Sequence, residues 1–67
     1  MRKLQRIELI YLRKQNQLTQ EDVAKSLNIT TSYYGMIEQG VRTPSLELAG
    51  RIATFFKTKV ESIFFRR

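Results

Sequence analysis

The stretch LTQEDVAKSLNIT, residues 18–30, predicts the fold because it contains the boundaries of two helices. Thr19 is a good N-cap, and Asp22, three residues later, can complete a variant of the capping box. Asn28 tolerates the left-handed conformation that commonly ends a helix. Thr30 is a cap candidate for the helix that follows. The stretch therefore predicts one helix beginning at Thr19, a tight turn at Asn28 and a second helix beginning at Thr30.

Downstream of this stretch, the second helix is expected to end at Gly40. The loop that follows contains Pro44, which disfavours helix in the residue before it. Ser45 can then cap a further helix over about residues 46–56. The apolar positions expected to face inward on these three helices are Val23, Ala24, Leu27, Tyr34, Ile37, Leu48, Ala49, Ile52, Ala53 and Phe56.

Helical spacing continues toward both ends of the chain. The segment from about residue 2 to residue 15 predicts a first helix, and residues 60–64 predict a brief last helix or turn. The first helix has two apolar pairs three or four positions apart, which predict its inward face: Leu9 with Leu12 and Ile7 with Tyr11. Together the segments predict one all-α domain, residues 1–67, with five short helices around a single core.

The composition limits the chemistry that such a domain can perform. The chain has 67 residues, with 12 Lys and Arg against 6 Asp and Glu, and it has no His and no Cys. A chain of this length has room for one small core. Without His and Cys there is no imidazole base, no thiolate nucleophile and no Cys-based zinc site. We therefore expect no enzyme, no cofactor and no metal site.

The net charge of +6 suits an anionic partner, either nucleic acid or an acidic membrane surface. The longest apolar runs, about four residues as in residues 9–12, are far shorter than the roughly 20 residues that span a bilayer. The absence of Cys fits a reducing compartment. We expect a cytoplasmic protein without a membrane partner, associated with the nucleoid when it binds DNA.

Two capped helices joined by a short turn have the arrangement of a helix-turn-helix motif, here about residues 19–39. In that motif the second helix enters the major groove of DNA and reads bases with side chains near its N-terminus. Helix pairs with tight turns also occur in ordinary helical bundles. The spacing alone leaves both interpretations open.

Five stretches together decide between these interpretations by resemblance. They are residues 18–30 (LTQEDVAKSLNIT), 37–40 (IEQG), 44–48 (PSLEL), 52–53 (IA) and 60–64 (VESIF). This pattern resembles the Cro/phage-repressor helix-turn-helix family, also called the XRE family, over roughly residues 9–64. The resemblance implies a compact five-helix, lambda-repressor-like domain that binds double-stranded DNA operators, usually as a two-fold dimer.

The resemblance implies that four positions of the second motif helix face the bases: Thr31, Ser32, Gly35 and Met36. Thr and Ser hydroxyls can hydrogen-bond base edges, and the Thr methyl and Met side chains can pack on a thymine methyl. Between residues 30 and 39 there is no Lys or Arg. Because the common Arg contact to guanine is not available from this helix, we expect its readout to favour A·T-rich or thymine-containing positions.

Seven further positions are implied to approach the DNA backbone: Thr19, Gln20, Thr30, Tyr33, Arg42, Thr43 and Ser45. Helix N-termini suit phosphates because their N–H groups are unpaired and carry the positive end of the helix dipole. The alternative for Gln20 is a solvated surface residue, and for Tyr33 it is partial packing in the core. Four further cations are expected to be solvated: Lys25, Arg51, Lys57 and Lys59. The terminal cations could form a basic N-terminal arm or face (Arg2, Lys3 and Arg6) and a basic tail (Arg66 and Arg67). The favoured alternative for them is solvation, in which they add long-range attraction.

The resemblance also implies a structural salt bridge between Arg13 and Glu38 that joins the first and third helices. Two unrelated surface charges are the alternative. Four phenylalanines near the C-terminus cannot all be interior in one small core: Phe55, Phe56, Phe64 and Phe65. The family pattern assigns Phe56 and Phe64 to the core. This leaves Phe55 and Phe65 as candidates for a homodimer contact, with Ile63 shared, unless they simply pack against the fourth helix.

These inferences predict a sequence-specific transcriptional regulator, a repressor that binds an inverted-repeat operator as a homodimer. RNA polymerase would be a further partner if the protein activates transcription instead. The resemblance points to a bacterial, plasmid or phage origin. The alternative function is an antitoxin-type interaction module that neutralises a toxin and autoregulates its operon.

Overall fold

A computed structural model describes residues 5–64 as an all-helical domain. Its helices are α1 (Ile7–Gln15), α2 (Gln20–Leu27), α3 (Thr31–Gln39), α4 (Leu46–Phe55) and α5 (Val60–Phe64). The five-helix prediction is confirmed, and within the described range α1 begins at Ile7. No helix among residues 5–64 is long and apolar enough to cross a membrane. Five residues of the sequence predictions lie outside the described range: Arg2, Lys3, Phe65, Arg66 and Arg67.

The starts of the three central helices follow from side-chain caps. The Thr19 hydroxyl accepts a hydrogen bond from the Asp22 backbone N–H at 3.0 Å, and the Thr19 N–H donates to the Asp22 carboxylate at 2.8 Å. This completes the predicted capping box of α2. Thr30 and Ser45 cap α3 and α4 in the same way, each accepting from the backbone N–H three residues later, at 3.1 Å. The sequence therefore predicts all three starts correctly.

The ends of α2 and α3 lie at the left-handed residues that the sequence predicts. Asn28 ends α2 with φ 61°, and Gly40 ends α3 with φ 81°. Asn is among the few side-chain-bearing residues that adopt this conformation readily, and Gly does so without a steric penalty. The chain therefore changes direction within the three residues that separate α2 from α3.

The core lies where all five helices meet. Leu9, Tyr34, Ile37 and Ile52 are fully buried near its centre. The other predicted inward positions of α2, α3 and α4 are also buried, which confirms their assignment: Val23, Ala24, Leu27, Leu48, Ala49, Ala53 and Phe56.

The prediction for Ile7 and Tyr11 is wrong, because these residues are 73% and 56% exposed. Each lies two positions from Leu9, which is fully buried. At 3.6 residues per turn, two positions correspond to a rotation of about 200°. Once Leu9 faces the core, Ile7 and Tyr11 are on the opposite side of α1.

Candidate nucleic-acid interface

The pairing of α2 with α3 creates a helix-turn-helix whose second helix has a polar exposed side. Thr30, Thr31 and Ser32 at its N-terminus are exposed, and Met36, one turn later, is half-buried. Gln39 at its last turn is also exposed, although sequence reasoning did not select it. We call Thr31, Ser32, Met36 and Gln39 the outer face of α3. Ser32, Met36 and Gln39 follow at spacings of four and three, which signals one helix face.

The prediction that Gly35 faces outward is wrong, because Gly35 is buried. A Cβ placed at Gly35 would lie 3.3 Å from Oε1 of Gln20, a residue of α2. The Gln20 side chain therefore covers this position of α3. Gly35 serves the close approach of another side chain and does not itself present an open surface.

Gln20 departs from its solvated alternative, while its contact with the DNA backbone stays a prediction. It is half-buried, and its Nε2 donates to Oε1 of Glu38 at 3.0 Å. The side chain links the first residue of α2 to the last turn of α3. The backbone N–H of Gln20, at the start of α2, has no partner within the helix. Unpaired N–H groups at a helix N-terminus attract phosphate.

Glu38 is the centre of a polar network inside the domain, with only 2% of the residue exposed. Arg13 of α1 donates to both its carboxylate oxygens, from Nε at 2.6 Å and from Nη2 at 3.2 Å. The remaining guanidinium nitrogen, Nη1, donates to the Leu18 carbonyl at 3.0 Å. The structure thus brings together the pair that the resemblance implied. This fork fixes α3 to α1 and to the residue preceding the α2 cap.

The protonation states in this network follow from competing effects. Burial alone would raise the pKa of Glu38, but hydrogen bonds from Arg13 and Gln20, the neighbouring Tyr34 hydroxyl and the Arg13 charge hold that pKa below its ordinary value. The hydrogen bonds to Glu38 raise the pKa of Arg13. Burial, and then the neighbouring Glu38, raise the pKa of Tyr34. The Tyr34 hydroxyl lies in this network without reaching a full hydrogen-bond geometry within the described residues.

Arg6 binds the C-terminal end of α3, although the sequence predicts a solvated side chain near the N-terminus of the chain. Its backbone N–H donates to the Glu38 carbonyl at 2.8 Å, and its Nη1 donates to the Ile37 carbonyl at 2.7 Å and the Arg42 carbonyl at 3.1 Å. The guanidinium carbon lies 5.1 Å from the ring centroid of Phe64, which is a cation–π distance. Burial lowers the pKa of Arg6. Arg6 therefore supplies donors to two carbonyls in the last turn of α3, where helices leave carbonyls unpaired, and to one carbonyl of the following loop.

Arg51 is a second cation with a structural contact that the sequence analysis missed. Its Nη2 donates to the Leu27 carbonyl at the end of α2, at 2.6 Å. Neither arginine contact has a local sequence signal, because each reaches a backbone carbonyl of a distant helix. The predictions for Lys25, Lys57 and Lys59 as exposed lysines agree with the structure.

The other residues implied to approach a DNA backbone are mostly at helix starts and are accessible. Thr19, Thr30 and Ser45 are exposed caps of α2, α3 and α4. Arg42 and Thr43 are exposed in the loop between α3 and α4. Tyr33 is half-buried and packs partly against the core, so it has the mixed environment of its two alternatives.

The residues predicted for a dimer contact have different environments. Ile63 is 5% exposed and belongs to the core of its own chain, so its assignment to an interface is wrong. Phe55 is half-buried, with its ring edge-on to Phe56 at a centroid distance of 4.9 Å. Part of Phe55 remains accessible. Phe64 packs against the core, in agreement with its prediction.

Comparison with known proteins agrees with this geometry. A family model described as helix-turn-helix matches residues 9–63. An uncharacterized HTH-type transcriptional regulator of Methanocaldococcus jannaschii is 47% identical over 57 residues, which are 85% of this chain and 86% of that protein. Two uncharacterized HTH-type transcriptional regulators of Archaeoglobus fulgidus are 40% and 36% identical over 47 residues. These alignments cover 70% of this chain and 66% and 67% of those proteins. The three relatives are archaeal, in contrast to the bacterial or phage origin that the sequence pattern suggested.

Proposed function

Since this chain belongs to the helix-turn-helix family of the Cro/phage-repressor (XRE) type, we propose that it is a DNA-binding transcriptional regulator that recognises a specific operator. Membership of this family also means that it acts by binding and not by catalysis. The observation that carries the proposal is the outer face of α3. Three of its four residues, Thr31, Ser32 and Gln39, are polar and exposed, and the same helix is held through its buried Glu38 by the Arg13 fork.

Base recognition in this proposal uses the outer face of α3 in the major groove. Thr31 and Ser32 supply hydroxyls near the helix N-terminus, and Met36 supplies an apolar contact for a thymine methyl. Gln39, at the other end of this face, can pair with adenine. The only charge on α3, Glu38, is buried and paired. The readout is therefore expected to favour A·T base pairs over guanine contacts.

Backbone binding uses the helix starts and the loop before α4. Thr19, Thr30 and Ser45 cap helix N-termini that are exposed, which suits phosphate oxygens. Arg42 and Thr43 are accessible in the adjacent loop. All 12 Lys and Arg residues lie outside α3, so the positive charge contributes attraction that weakens with salt and carries little sequence information.

The protein acts in this proposal as a homodimer on an inverted repeat, and it represses by occupying a promoter. Two copies of α3 would enter successive major grooves, about 34–36 Å apart. The partly accessible Phe55 ring supports a contact between protomers, and Phe65 is the other candidate from the sequence. The site of action would be the DNA inside the cell.

Selection of bound duplexes from a random DNA pool at two salt concentrations tests this function. Thr31→Ala and Met36→Ala should change the preferred bases. Arg42→Ala should weaken binding to all sequences and reduce the slope of log affinity against log salt by about 0.9. Lys59→Ala, which removes an exposed cation before α5, is the matched control and should leave the preferred bases unchanged. No enriched sequence for the unaltered protein would refute specific DNA recognition and favour a protein-binding role.

A further inference from the structure

The outer face of α3 has a gap that a residue of another helix fills. Gly35 lies four residues after Thr31 and four before Gln39, so it belongs to the same side of α3. It has no side chain, yet it is buried. The atoms nearest to a Cβ placed there are Oε1, Cδ and Nε2 of Gln20, at 3.3, 3.8 and 3.8 Å. The Gln20 amide therefore packs directly against the position where a side chain at residue 35 would begin.

The orientation of this amide is determined by Glu38. Gln20 Nε2 lies 3.0 Å from Glu38 Oε1, and the same carboxylate is held by the Arg13 fork. An ionised carboxylate only accepts hydrogen bonds. If the amide turned over, its oxygen would face the carboxylate, so the nitrogen must point toward Glu38. The carbonyl oxygen and one N–H of Gln20 remain for another partner.

We propose that Gln20 is a specificity-determining residue, which reads an adenine in the major groove through this pre-oriented amide. It does so from α2, between residues of the outer face of α3, with Glu38 and Gly35 as positioning residues. Adenine presents an N6 donor beside an N7 acceptor, which matches the oxygen and the N–H of an amide. A phosphate presents acceptors only, so it could accept from the free N–H but would leave the carbonyl oxygen without a donor. This assignment rests on the proposed DNA-binding function and replaces the phosphate contact predicted for the Gln20 side chain.

The test uses the full chain and the duplex selected from a random pool, together with every single base-pair substitution of that duplex. For the unaltered protein, replacing one A·T pair should reduce affinity at least about fivefold through loss of the amide contact. In Gln20→Met, which has similar length and no amide, discrimination at that pair should fall below twofold. Preferences at the other base pairs should persist. Thr31→Ala is the matched control and should relax a different base pair.

Two further variants separate recognition from a loss of folding, which circular dichroism monitors in each case. Gln20→Lys retains a donor for Glu38 but has no acceptor, and it should lose the same base preference. Gly35→Ala places a methyl group 3.3 Å from the present position of Oε1. It should displace the amide, relax the same base pair and add nothing further to Gln20→Met.

The outcomes distinguish this inference from the proposed function. If Gln20→Met selects the same sequence as the unaltered protein and loses affinity equally for all duplexes, Gln20 is a backbone contact and the inference is wrong. Relaxation at a different base pair in Gly35→Ala would also overturn it. Absence of any selected sequence for the unaltered protein would refute specific DNA binding itself.

Discussion

Replacing Arg13 by methionine should be among the most destabilising single changes in this domain. The substitution retains part of the aliphatic stem and removes the guanidinium that holds Glu38. The side chains of Arg13 and Glu38 are 12% and 2% exposed, so the carboxylate would remain buried without its countercharge. Removing one partner of a buried ion pair typically costs about 3–5 kcal/mol. We expect about 3 kcal/mol, because Gln20 continues to donate to Glu38.

That loss is large compared with the stability of a chain of 67 residues. At about 0.05–0.15 kcal/mol per residue, the free energy of unfolding is roughly 3–10 kcal/mol. With an m-value of about 1–1.5 kcal/mol/M in urea, the unfolding midpoint should fall by about 2–3 M. Urea titration followed by circular dichroism at a fixed pH measures this shift.

The double variant Arg13→Met, Glu38→Met separates the ion pair from ordinary packing. If the pair is coupled, this variant should recover a large part of the stability, with an interaction energy of about 2 kcal/mol in the double-mutant cycle. The control is Lys25→Met, which breaks the exposed pair with Glu21, at 4.0 Å and with side chains 78% and 67% exposed. It should change stability by no more than about 0.5 kcal/mol. Additive losses for Arg13 and Glu38 would refute the reasoning.

Three further outcomes follow from the same structure. Asn28 has a φ of 61°, so Asn28→Ala should destabilise the domain by about 1 kcal/mol in urea titration, and Asn28→Gly should be nearly neutral. Equal effects of the two substitutions would contradict the left-handed cap. Arg51→Met should lose about 1 kcal/mol with its hydrogen bond to the Leu27 carbonyl, and no loss in thermal or urea unfolding would show that this contact is not stabilising. The pKa of Glu38 is lower in the folded chain than its ordinary value of about 4.3. The contribution of ionised Glu38 to the free energy of unfolding should therefore be complete above that value and be lost as the pH falls through the folded pKa. A Glu38→Met variant should show less of this acid sensitivity in unfolding measured between pH 6 and 3.

The local parts of the fold are predictable from sequence because their causes are local. Thr19, Thr30 and Ser45 start helices through hydrogen bonds that span three residues. Asn28 and Gly40 end helices by their own backbone preferences. Each of these signals operates within one turn, so no knowledge of the tertiary structure is needed to read it.

The phase of α1 was harder to predict because apolar residues occupy almost every position from Ile7 to Leu12. Such a run offers more than one apolar face, and only packing against the other helices selects the one that contains Leu9. Ile7 and Tyr11 were consequently assigned to the wrong side. The Arg13–Glu38 pair became predictable through the family pattern and not through spacing, since its partners are 25 positions apart.

In the candidate site, too, positions near a helix start are predictable and contacts between helices are not. The family pattern predicts that Thr31 and Ser32 face outward at the start of α3, and both are exposed. The packing of Gln20 against Gly35 depends on the contact between α2 and α3, which neither local sequence reveals. Arg6 was missed for a related reason, because a long side chain reached carbonyls more than thirty positions away.

The contacts of Arg6 mean that the helix-turn-helix segment does not keep its structure when it is separated from the rest of the domain. Arg6 precedes the motif and Arg42 follows it, and their contact closes a loop of 36 positions around α3. A nine-residue helix is too short to persist alone in water. A peptide comprising only residues 18–41 would therefore lose both the Arg13 fork and the Arg6 closure. Grafting the outer face of α3 onto another protein would require a scaffold that rebuilds these two arginine contacts.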